Sequence, residues 1–98
     1  MKNILALLAL AAVAALPAHA VDADAAQALM KKSGCMKCHA VSAKKEGPSF
    51  KETAAKYKGQ PDAEGKLVAH LTTQKDHEHA KTQDEAEVKN LVQWILSQ

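Results

Sequence analysis

Apolar residues occur in two kinds of run along this chain: one unbroken stretch near the start, and later stretches where they recur every three or four positions. The unbroken stretch runs from Ile4 to Leu16, follows Lys2, and closes at Ala18-His19-Ala20. Its 13 residues fall short of the about 20 that a bilayer-crossing helix needs. Residues 1–20 are therefore expected to be an export signal, cleaved after Ala20, with no stable membrane insertion afterwards. Residues 21–98 then form one domain of 78 residues.

The periodic stretches predict helices. Asp22 is placed to cap a first helix to about Lys32, which Gly34 ends. A second helix is expected from about Ser49 to Tyr57, with Phe50, Ala54 and Tyr57 on one face and Gly59 as its stop. Pro61 suits the first turn of a third helix reaching about Thr73, whose inner face carries Ala63, Leu67, His70 and Leu71. Thr82 and Glu85 form a capping-box pattern ahead of a last helix striped by Val88, Leu91, Val92, Ile95 and Leu96. Between these elements, residues 40–48 and 74–81 lack periodicity and read as loops. Strand-forming residues are too scattered to alternate, so the fold class is all-α with about four helices.

Charge narrows the function classes. Beyond the signal, 12 lysines face 11 acidic residues, a net of +1, which lacks the basic bias of a nucleic-acid binder. The distribution is uneven: Lys31, Lys32, Lys37, Lys44 and Lys45 surround the two cysteines, while Asp84, Glu85 and Glu87 lie near the C-terminus. A domain of this size is also marginal for burying a core of its own, so a bound group would help it fold.

Cys35-Met36-Lys37-Cys38-His39 supplies such a group. Two thiols at that spacing followed at once by histidine form the attachment site of a c-type haem. Each thiol adds to one haem vinyl group, and His39 is then held as the proximal iron ligand. No second cysteine pair completes a zinc site, and no run of β-branched residues gives the context of a thioredoxin-like redox pair.

With the Gly47-Pro48-Ser49-Phe50 segment, Ala54-Ala55-Lys56-Tyr57 and the terminal Leu91-Val92-Gln93-Trp94-Ile95-Leu96, the chain resembles the small bacterial class I cytochromes c. The resemblance implies that the first and last helices cross. It also implies that the Pro48 carbonyl accepts a hydrogen bond from His39, and that Trp94 and His70 lie close to the haem propionates. It departs from the family at the sixth iron ligand, because no methionine follows Met36. The segment that should supply one holds His77 and His79, which in an extended loop project to opposite sides, so at most one faces inward. His77 is the expected ligand.

The resulting expectation is a periplasmic electron carrier, His/His rather than His/Met ligated, with one covalent haem c, no catalytic residues and no substrate. Cys35, Cys38, His39, Pro48, His70, His77 and Trp94 would surround the cofactor, with His39 and His77 on the iron. As a monomer, it would dock protein redox partners at the haem edge. The alternative is a haem protein that binds or senses a small gas at an open or labile sixth site.

Overall fold

The computed structural model describes residues 20–98, so the expected signal, apart from Ala20, lies outside the described residues. Within them the chain forms four α-helices: α1 (Ala23–Ser33), α2 (Phe50–Tyr57), α3 (Ala63–Thr72) and α4 (Glu85–Leu96). A short 3-10 turn, Cys35–Lys37, follows α1.

Local chemistry explains most of the boundaries. The Asp22 carboxylate accepts the Ala25 N–H at 3.0 Å and starts α1. Gly34 ends it at φ 72°, a conformation an L side chain resists, and its N–H caps the carbonyls of Lys31 and Met30. At α2 a full capping box forms: Ser49 Oγ accepts the Glu52 N–H at 3.1 Å, and Glu52 Oε2 accepts the Ser49 N–H at 3.2 Å. The expected helix start near Ser49 did not rest on this Ser-x-x-Glu pattern, which encloses Phe50, the residue that α2 buries.

Two expected starts are corrected. Pro61 lies in the turn before α3 rather than in its first turn, because the helix begins at Ala63 with Asp62 in the cap position. Asp62 makes no side-chain cap bond and pairs instead with Lys66 at 3.1 Å. The Thr82–Glu85 capping box does not form either. Asp84 caps α4 by accepting the Ala86 N–H at 2.9 Å, while Thr82 donates to Glu87 at 2.6 Å and accepts the Asp84 N–H at 3.1 Å. A carboxylate one residue before the helix reaches the free N–H groups better than a hydroxyl two residues further back.

α4 is the centre of the fold and packs against α1, α2 and α3. Its buried residues are Val88, Leu91, Val92, Trp94 and Ile95, while Leu96 at the end of the stripe is only half-buried. Ala26, Leu29 and Met30 of α1, Phe50 of α2, and Leu91, Trp94 and Ile95 form one contiguous core. Full burial of a Leu or Val side chain contributes about 1.5–3 kcal/mol, so this seam is the main protein-only source of stability. Asn90 locks the α1–α4 pair: its Oδ1 accepts the Asp22 N–H at 2.9 Å and its Nδ2 donates to the Asp22 carbonyl at 2.8 Å.

Candidate functional site

The turn after α1 presents the two thiols. Gly34 reverses the chain, and the N–H groups of Cys38 and His39 both reach the Cys35 carbonyl, at 3.2 and 3.0 Å. Lys45 Nζ donates to the Met36 carbonyl at 2.7 Å, and the Gly47 N–H to the Cys38 carbonyl at 2.8 Å, so the following loop folds back over the turn. Cys35 and Cys38 are free and half-buried. Burial pushes the Cys35 thiol up, and Cys38 is pushed up mainly by its hydrogen bond to the Glu46 carboxylate, at 3.5 Å. Neither thiol has the lowered pKa on which a redox pair depends.

His39 is oriented by its neighbours. Its Nδ1–H donates to the Pro48 carbonyl at 2.7 Å, which fixes the tautomer and leaves Nε2 with its lone pair. Gly47 makes this possible: a Cβ there would stand 2.3 Å from His39 Cε1 and 2.7 Å from Nδ1. Phe50 stacks on the imidazole with ring centres 5.4 Å apart, and Trp94 meets Phe50 edge-on at 5.8 Å. Trp94 thus stands in the core one ring removed from His39.

The loop from Gln74 to Lys81 brings His77 to the same place. Its ring centre lies 5.9 Å from that of His39 and 4.4 Å from that of His70 on α3. Two imidazoles on one metal need ring centres roughly 6 Å apart, from two metal–nitrogen bonds of about 2 Å and the distance from each nitrogen to its ring centre. The His39–His77 spacing fits. His77 Nδ1–H donates to the Glu78 carbonyl at 2.6 Å, again leaving Nε2 free. His70 is half-buried, and burial first, then the neighbouring His77, pulls its pKa down and favours the neutral ring. His79 is exposed, and its Nε2–H donates to the Gln74 carbonyl at 2.8 Å.

Sequence reasoning placed Lys45 near the cysteines as a charge only and missed the grip of Lys45 and Glu46 on the turn, which depends on how the loop folds back and has no spacing signature. It missed the contact between Gly47 and His39 as well, although a glycine next to the proline that orients a ligand is a usable signal of close approach. On the outer side of the turn, Met36 is exposed and, with Met30, Val41 and Trp94, lines an open groove edged by Lys31 and Lys37.

Comparisons with known proteins place the chain in a family. The cytochrome c family model matches residues 23–98. Cytochrome c-551 of Pseudomonas aeruginosa is 36% identical over 101 residues, covering 95% of each chain. Cytochrome c-552 of Hydrogenobacter thermophilus is 37% identical over 75 residues, covering 70% of this chain and 76% of its own. Among solved structures, the class 1 cytochrome MtoD of Sideroxydans lithotrophicus superposes with a TM-score of 0.70 at 44% identity, covering 80% of this chain and 97% of MtoD. The chain belongs to the cytochrome c family, as a small class I monohaem member. It is accordingly an electron-carrier type of protein with one covalently attached haem c at the Cys35–His39 motif. Among the described residues, no helix is long and apolar enough to cross a membrane.

Proposed function

We propose that this protein is a periplasmic, monomeric electron carrier whose haem iron is held by His39 and His77, and that it converts no substrate. The observation that carries the ligation is the 5.9 Å separation of the two imidazole centres, each ring with its Nδ1 already engaged by a carbonyl. The haem supplies a one-electron couple, and imidazole in place of a methionine sulfur lowers its reduction potential.

The chain's own residues do the rest. Cys35 and Cys38 anchor the porphyrin, Pro48 orients His39 and raises its basicity, and Phe50 backs the His39 ring. His70 and Trp94 complete the surroundings, His70 beside His77 and Trp94 behind Phe50. Lys31 and Lys37 beside the exposed Met36 give redox partners a basic rim around an apolar contact, which steers acidic surfaces at low salt. Residues 1–20 act as the export signal and leave 21–98 as the working domain, a division supported by the family match beginning at residue 23.

Absorption spectra of the purified protein in both oxidation states, with and without carbon monoxide, test the ligation. The expected resting protein is low-spin and lacks the charge-transfer band of iron–methionine ligation, and His77→Ala becomes high-spin and takes up carbon monoxide readily. A high-spin wild type that binds carbon monoxide at once would replace the carrier with the gas-binding reading.

A further inference from the structure

The ligation above uses the first histidine of His77-Glu78-His79 and leaves the second without a role, yet the second is the one that closes the loop. His79 Nε2–H donates to the Gln74 carbonyl at 2.8 Å, across five residues of chain, and His77 lies inside that bridge. The base of the loop is tied separately. The Ala80 N–H reaches the Leu71 carbonyl at 2.9 Å, and the Lys81 N–H reaches Ser33 Oγ at 2.9 Å, which fixes the loop's exit to α3 and α1. His77's own hydrogen bond goes to Glu78, a member of the same loop, so it moves with the loop and does not hold it down. Lys75, Asp76 and Glu78 are exposed.

We infer that His79 is a positioning residue: its bond to Gln74 latches the loop shut with His77 inside the pocket, and so sets how often His77 leaves the iron and admits an outside ligand. The inference rests on His77 being the distal ligand. It gives the second histidine a part that exposure alone would not suggest, because it acts through the Gln74 backbone and never touches the cofactor. An exposed hydrogen bond is a modest tie, so its loss leaves the closed loop dominant and raises the open fraction on the order of 3- to 10-fold.

The test uses the ferrous holoprotein and stopped-flow carbon monoxide, read as the limiting rate at saturating gas, together with amide hydrogen exchange of residues 75–78. His79→Ala is expected to keep the resting low-spin spectrum while both the limiting rate and the exchange rise on the order of 3- to 10-fold. His79→Gln restores both, since its amide nitrogen stands where the imidazole Nε2 stands; His79→Asn, whose amide falls at the Nδ1 position, does not. A His79→Ala protein with the wild-type limiting rate, or a Gln variant as fast as the Ala variant, would overturn the latch while leaving the His77 ligation intact. A wild type whose rate climbs with gas concentration without a limit, and a His77→Ala protein with an unchanged spectrum, would instead overturn the ligation and the latch together.

Discussion

The two walls that face each other across the His39–His77 pair are held in different ways. On the His39 side, ties are dense and mostly backbone to backbone: Cys38 and His39 to Cys35, Gly47 to Cys38, Phe50 to Ala40 and Lys51 to Val41, all at 2.8 to 3.2 Å. The Pro48 carbonyl then fixes the ring itself. On the His77 side, backbone and Ser33 bonds hold the loop's exit, and a single exposed imidazole bridges its interior. The difference separates permanence from adjustability. A wall whose backbone groups satisfy one another moves only if several bonds break together, whereas one closed by a side chain opens at the cost of one bond.

If the His39 wall is as over-determined as its geometry implies, disturbing it should have the largest effect. Gly47→Ala brings a Cβ to 2.3 Å from His39, with Pro48 and the Cys38 carbonyl both fixing the neighbouring backbone, so neither group can yield cheaply. The expected loss is roughly 2–4 kcal/mol, from overpacking together with a strained or broken His39–Pro48 bond. Denaturant unfolding of the holoprotein measures it. A loss below about 1 kcal/mol would mean that this wall relaxes as easily as the loop opposite it.

The same contrast governs what could be read from the sequence. The His39 side is local: Gly34, the two cysteines, His39, Pro48 and the Ser49–Glu52 box lie within nineteen positions, and each acts on a near neighbour. Spacing and turn chemistry therefore expose the Gly34 stop and the Cys35–His39 motif, the family resemblance supplies the Pro48–His39 bond, and the Ser49–Glu52 box was not read from the sequence. The opposite side is assembled over distance, with Ser33 holding Lys81 and α3 bringing His70 to His77, and no local pattern encodes either contact. One loop inference did follow from sequence alone: two histidines separated by one residue do diverge, His77 inward and His79 to solvent. The helix starts that went astray, at Pro61 and Thr82, did so because a pattern match does not say which of several nearby polar groups reaches the free N–H groups first.

Helix caps sharpen the contrast at a smaller scale. Ser49 is almost wholly buried, and its box joins the His39 segment to α2, whereas Asp84 is exposed and starts α4 just beyond the distal loop. Ser49→Ala is expected to cost about 1.5–2 kcal/mol, and Asp84→Ala about 0.5–1 kcal/mol, because water can replace only the exposed cap. Thr82→Ala, one step further from the helix, should cost less than Asp84→Ala. Equal losses for Ser49 and Asp84 in thermal or denaturant unfolding would show that burial does not separate the two sides.

The smallest effect belongs to α3, the helix that leads into the distal loop. The side chain of its cap residue, Asp62, bonds no helix N–H and meets Lys66 instead, with both side chains more than half exposed. The Lys66 hydrogen bond, followed by a backbone hydrogen bond of its own, holds the Asp62 carboxyl below its usual value. A carboxylate whose pKa is lowered on folding stabilises the fold above the ordinary carboxylate range and loses that contribution as pH falls through the lowered value. Exposure and salt screening keep the contribution slight. Asp62→Asn should therefore lower the melting temperature marginally at neutral pH and low salt. The difference from wild type should vanish in high salt, and again in acid once the wild-type carboxyl is protonated. Melting curves across pH at two ionic strengths measure this, and a deficit that persists in high salt would mean that Asp62 secures the distal arm by something other than charge.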